Sequence, residues 1–194
     1  MQLIQFGLIV LSLIPTVTTL LLGYQIMRAG FSVKGKPTIN GFLFYFAKAT
    51  VGLVFALLIA ASFMPVFFLK LPWLIQDDIV AVQKLMSLVF LLAGNLLLLP
   101  AYYTMSIFTR IGLPTNEHVL QTGGVYRISR NPMYTSFFFF FGACFLLTPS
   151  VLLGILMLLT LALHHRIIKK EEDYLASAFG EVYLKYKKSV ARYL

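Results

Sequence analysis

Two polar islands in an otherwise greasy chain carry the residue types that can do chemistry. The first is Thr122 to Tyr134, TGGVYRISRNPMY; the second is the acidic trio Glu171, Glu172 and Asp173. Asn131-Pro132 is a strong helix start, because Asn can cap and Pro is tolerated at the first helical position. The free backbone N–H groups of such a start suit a carboxylate or phosphate. Gly123-Gly124 permits a tight turn or a close backbone approach, and a plain turn needs the same residues. Tyr126 and Tyr134 can face a cation or anchor the chain at a membrane boundary. The acidic trio, set beside Arg166, Lys169 and Lys170, reads either as a solvated helix extension or as a group of ligand-binding carboxylates. In isolation the first reading is favoured; only seven acidic residues exist in the chain, and three of them cluster on the arm whose partner begins at Pro132, which lowers its weight. His164 and His165 are adjacent, so on a helix they point about 100° apart and make no metal pair; no metal site is expected. His164 and Glu171, seven apart, share a helix face.

These islands must be held by elements that belong in a bilayer. The chain is 59% hydrophobic and 12% charged, with mean hydropathy +0.86 over 194 residues, against roughly 45–50% and about 25% in soluble domains. An all-α integral membrane protein follows, with room for a single membrane-embedded domain over residues 1–194 and no separate soluble one. The net charge of +9 sits at the flanks of apolar runs, which argues against nucleic acid as a partner. Cys144, the single cysteine, lies in an apolar run and reads as a small buried hydrophobe. The amino-terminal run lacks a basic lead and a small-residue cleavage site, so it is expected to be retained.

Five passes are predicted. Leu3–Leu22 forms the first and Gly41–Phe68 the second, with Lys48 near its start, where its stem would snorkel toward the basic side. Lys70–Asp78, with Trp73, reads as a boundary loop. Ala81–Phe108 is a third pass, in which Asn95 is expected to make an interhelical hydrogen bond. Thr148-Pro149-Ser150 divides the last apolar stretch into a helical hairpin, Pro132–Leu147 and Pro149–His165. The second arm should continue past the membrane through Glu171 to a stop at Gly180, followed by an amphipathic helix with Val182, Tyr186 and Val190 on one face. With the N-terminus outside, the cytosolic side receives three, three and seven basic residues from its successive segments, thirteen of the sixteen in all. Both islands then meet at the cytosolic face of a plasma membrane or endomembrane. Residues 1–80 carry no motif; residues 81–194 carry the site.

The ordered set His118-Val119-Leu120-Gln121, Gly-Val-Tyr126, Arg130-Asn131-Pro132-Met133-Tyr134, a hydrophobic hairpin, then Glu171-Glu172, Leu175, Phe179-Gly180, Tyr183 and Tyr186 resembles the isoprenylcysteine carboxyl methyltransferase family and its relatives among membrane phospholipid methyltransferases. The likeness runs from His118 to the C-terminus. It implies an S-adenosylmethionine-dependent enzyme, yielding S-adenosylhomocysteine, with the cofactor entering from the cytosol and a lipid or prenylated substrate from the bilayer. By that likeness His118, Val119, Leu120, Gln121, Tyr126, Asn131, Pro132, Met133, Tyr134 and Glu171 are the cofactor-binding positions. Glu172 completes a glutamate pair, and Arg166 stands one position out of register with a family arginine. The isoprenylcysteine enzymes carry RHP where this chain has Arg130-Asn131-Pro132. A carboxylate acceptor is already ionised at pH 7 and would be held by Arg166 or Arg130. An amine acceptor would surrender its proton to Glu172 or His164. The prenylcysteine α-carboxylate is the leading expectation and a phospholipid head-group amine the alternative. An NADPH-dependent steroid-type reductase and a non-enzymatic membrane protein stand further off. The sequence does not specify an oligomeric state.

Overall fold

The computed structural model describes residues 2–64, 75, 79–109, 111–113 and 119–194. Its helices are α1 (Gln2–Arg28), α2 (Gly41–Phe63), α3 (Ala81–Met105), α4 (Pro132–Leu147) and α5 (Val151–Ser189), with short 3-10 turns at Ser106–Phe108 and Gly124–Arg127. Among the described residues, four helical segments are long and apolar enough to cross a membrane; α4, with 16 residues, is a shorter apolar helix. The Lys70–Asp78 loop lies outside the described residues save for Ile75.

The hairpin turns where a proline interrupts the apolar run. α4 ends at Leu147, Thr148 hydrogen-bonds back to the Cys144 carbonyl at 2.7 Å, and α5 begins after Pro149-Ser150. Cys144 is buried beside it. Ile75 donates its N–H to the Pro149 carbonyl at 2.8 Å, so the α2–α3 connection meets the hairpin tip. At the opposite end, residues 33–36 pair with 111–113: Gly35 and Lys36 donate to Ile111 and Leu113 at 2.9 Å each. A Cβ on Gly35 would stand 2.2 Å from the Leu113 carbonyl oxygen, so glycine is what allows the two loops to touch. The connections thus sort to two ends, as an alternating five-helix passage requires.

The core between these ends is apolar and close-packed around α4. Leu91 and Leu98 of α3, Val54 and Leu58 of α2, and Phe140 and Phe141 of α4 are buried together. Gly94 lets α3 approach so closely that a Cβ there would meet the Phe140 ring at 2.7 Å. Asn95 donates its amide to the Leu11 carbonyl of α1 at 3.0 Å, the interhelical bond expected of a lone polar group at this depth.

α5 has 39 residues and is interrupted at Gly180, whose φ of +52° is unfavourable for any residue with a Cβ. The helical segment after it keeps part of the expected face: Tyr186 and Val190 are half-buried, while Val182 is exposed and Tyr183 is buried in its place. Tyr186 donates its hydroxyl to the Tyr126 carbonyl at 2.6 Å, which turns the segment onto the first island.

Candidate functional site

Gly124 begins the site locally. It adopts φ +56° and leads the 3-10 turn Gly124–Arg127, which buries Val125 and Tyr126 against Leu97 and Ala101 of α3. A Cβ at Gly124 would come within 2.9 Å of Thr104 Oγ1, so conformation and space both call for glycine. The turn delivers the chain to Asn131-Pro132, where α4 starts.

Asn131 does not cap that helix. No side-chain cap is present; its amide instead donates to the Arg192 carbonyl at 3.1 Å and approaches Glu172 Oε1 at 3.5 Å. The competition is won by a carboxylate and a returning tail. Arg130 donates its backbone N–H to the Ala191 carbonyl at 2.9 Å, and Tyr193 meets His165 Nδ1 through its hydroxyl at 2.7 Å. The tail therefore straps the first island to α5.

Glu172 is the hub of that strap. It is 2% exposed and takes Arg130 Nη2 at 2.9 Å and Arg192 at 2.8 and 3.0 Å, with Lys187 at 3.7 Å. It lies about 32 Å along α5 from Val151 at 1.5 Å per residue, beyond a hydrocarbon core of about 30 Å. Burial alone would raise its pKa, but hydrogen bonds from Arg192 and Arg130, reinforced by their charges, hold it down at about 2. Its neighbour Glu171 faces elsewhere. Glu171 Oε1 accepts from the Tyr134 hydroxyl at 2.8 Å, and that hydroxyl accepts from Lys48 Nζ at 3.0 Å. Burial pushes the Glu171 carboxyl above its ordinary pKa, against the opposing pull of Lys48 and the Tyr134 hydrogen bond.

A cavity of about 380 Å³ lies between these groups, within the range of small-molecule sites. Of the ten cofactor positions named from sequence, nine line it: Val119, Leu120, Gln121, Tyr126, Asn131, Pro132, Met133, Tyr134 and Glu171. The tenth, His118, lies outside the described residues. The two residues named as catalytic are placed otherwise. Arg166 is exposed and does not line the cavity, and Glu172 is sealed among arginines behind it. His164 is buried, donates its Nδ1–H to the Thr160 carbonyl at 2.9 Å, and packs on Tyr134 and Phe137 without lining the cavity.

Among the wall residues that sequence reasoning did not assign to the site are Lys48, Tyr102, Tyr183 and Tyr186. Lys48 does not snorkel to the surface. Its ammonium sits 4.4 Å from the Tyr134 ring centroid and 5.3 Å from that of Phe44, held inward by the hydroxyl and two π-faces. A lone Lys near a helix end carries no mark that separates these outcomes. For Tyr183 and Tyr186 the signal was their place in the ordered motif set after Glu171-Glu172; Tyr102 carried none.

The wall fits a polar cationic ligand with hydrogen-bonding groups. The buried Tyr126 hydroxyl has no partner among the described residues, and burial, then the neighbouring Tyr186 and Glu171, raise its pKa and keep it a donor. Gln121 and the uncapped first turn of α4 add amide groups, and Glu171 adds negative charge.

A bundle of apolar helices with a largely apolar cavity at one end, carrying a few polar groups, defines a multi-pass membrane protein with room for a small molecule. The phospholipid methyltransferase family model matches residues 82–182, just over half of the chain, and the protein belongs to that family of membrane methyltransferases. The match takes in α3, both islands and the hairpin, starting earlier than the likeness that begins at His118. Neither the comparison with curated proteins nor that with solved structures finds a significant match.

Proposed function

We propose that the protein transfers a methyl group from S-adenosylmethionine to the head-group amine of a phospholipid at the cytosolic face of the membrane. The observation that carries this reading is the shared cavity wall of Tyr126, Asn131, Tyr134 and Glu171, within a chain of the phospholipid methyltransferase family. When bound, the cofactor supplies an electrophilic methyl on a sulfonium, which an uncharged amine takes as the C–S bond breaks and its electron pair passes to sulfur.

The chain's own residues supply position and proton handling. The donors Gln121, Tyr126 and the α4 start would hold the cofactor's polar groups, and the tyrosine faces suit its positive charge. A phospholipid amine arrives protonated. Among the described residues Glu171 is the carboxylate that lines the cavity, and its raised pKa makes it a better proton acceptor than Glu172, whose oxygens are both claimed by arginines. Glu172 serves instead to fix Arg130 and Asn131.

The prenylcysteine carboxylate is the competing acceptor, supported by the ordered motif set. Of the two arginines expected to hold it, Arg166 stands outside the cavity and Arg130 is engaged by Glu172 and the Lys187 carbonyl. Radiolabelled S-adenosylmethionine separates the two. Incubation with the purified protein in vesicles bearing an amine phospholipid should give base-stable label in the lipid. A base-labile, volatile label on a prenylated cysteine would favour the ester product, and no transfer to either would contradict the reaction.

A further inference from the structure

We infer that Lys48, from the motif-free α2, is an anion-binding residue for the acceptor's phosphodiester, so that a segment outside the family match selects the lipid. This rests on the reading of the cavity as a methyl-transfer site. The cavity has two characters. Gln121, Tyr126, Asn131 and Glu171 make a polar bay, whereas Val51, Gly52, Phe55 and Phe137 make an apolar channel. Lys48 stands at their junction, one helical turn from Gly52.

The channel reaches the lipid-facing side of the bundle. Thr19 of α1 and Gly52 of α2 both line it and are both exposed, and nothing lies within 4 Å of a Cβ built on Gly52. Acyl chains leaving between α1 and α2 would set a glycerol phosphate beside Lys48 and the head-group amine beside Glu171, the order in which these groups occur along a phospholipid.

Charge balance points the same way. Among the described residues, two cationic side chains line the cavity, Lys48 and Arg130. Arg130 is ion-paired with Glu172 at 2.9 Å, and its guanidinium also donates to the Lys187 carbonyl. Lys48 makes no ion pair within 4 Å among the described residues; it reaches Glu171 only through the Tyr134 hydroxyl. An ammonium has three N–H donors, and one is used here, which leaves two for phosphate oxygens. A charged hydrogen bond in a partly dry site is worth enough to change affinity about tenfold or more.

The anion could instead be the cofactor's carboxylate, and binding measurements separate the sources without requiring turnover. Wild type, Lys48→Gln and Lys48→Arg, in nanodiscs of neutral lipid, are titrated with a short-chain phospholipid, a matched diacylglycerol and S-adenosylhomocysteine. The expected result is that Lys48→Gln weakens phospholipid binding about tenfold or more, leaves diacylglycerol and S-adenosylhomocysteine binding unchanged, and is rescued in part by Lys48→Arg. Unchanged preference for the phosphodiester over diacylglycerol overturns the proposal. So does a loss that falls on S-adenosylhomocysteine, which would assign Lys48 to the cofactor. Wild type that selects the phosphodiester through Lys48 but fails to bind S-adenosylhomocysteine would leave the lipid site standing and remove the methyl-transfer reading.

Discussion

The Tyr134 hydroxyl donates to Glu171 Oε1 at 2.8 Å, joining the first residue turn of α4 to the far extension of α5. Because the same oxygen accepts from Lys48, removing it uncouples three helices at one point while the ring can stay packed on Phe137 and His164. Tyr134→Phe should therefore fold normally and lower kcat roughly tenfold, about 1.4 kcal/mol of barrier. Steady-state kinetics of the purified variant check this, with circular dichroism as the folding control.

Adjacent glutamates should fail in opposite ways. Glu172→Gln removes the charge that neutralises buried Arg130, a change that typically costs about 3–5 kcal/mol, and should lower the melting temperature by roughly 10 °C. Glu171→Gln should leave melting nearly unchanged and reduce turnover by about a hundredfold, the lower end for loss of a proton acceptor. Thermal unfolding in detergent and the labelled-methyl assay together distinguish them.

Much of this architecture was legible because its signals are local. Pro149 marks the hairpin tip in sequence as it does in space, and Gly180 marks the interruption of α5 because φ +52° requires it. The motif positions from Val119 to Tyr134 converge on one cavity because the turn at Gly124 brings consecutive residues past the same point. What escaped sequence reading depends on distant partners. Asn131 has every feature of a cap, yet an amide with a carboxylate and the Arg192 carbonyl in reach bonds to them instead. Lys48 looks like a snorkelling lysine until Tyr134 is placed beside it. Nothing in the spacing of Arg192 discloses that it returns to Glu172.

The Glu172 cluster also sets an acid limit. Its folded pKa of about 2 lies below the ordinary 4.5, so the unfolded chain binds the proton more readily between these values. The contribution is complete above about pH 4.5 and is lost progressively as pH falls toward 2. Wild type should lose stability across that window, and Glu172→Gln, already weaker, should show a flatter profile. Denaturation midpoints measured in steps from pH 6 downward test the sign.

Gly124→Ala places a methyl in a left-handed conformation and 2.9 Å from Thr104 Oγ1. The expected cost is about 1–2 kcal/mol from the backbone alone, with weaker ligand binding because Tyr126 follows directly. Adding Thr104→Ala relieves the contact and not the backbone strain, so it should restore only part of the loss in a thermal melt.

Arg166, exposed and away from the cavity, supplies the complementary control. Arg166→Ala should leave kcat/KM within about twofold, a change of under roughly 0.5 kcal/mol. A selective collapse of the lipid reaction would return Arg166 to the substrate site.

Calorimetric titration of S-adenosylhomocysteine into the detergent-purified protein is the most direct test of the central claim. One saturable site with micromolar affinity in wild type, weakened at least about tenfold by Tyr126→Ala, is the predicted result. A folded wild-type protein that produces no binding heat at millimolar ligand would contradict the assignment of this cavity to a methyl donor.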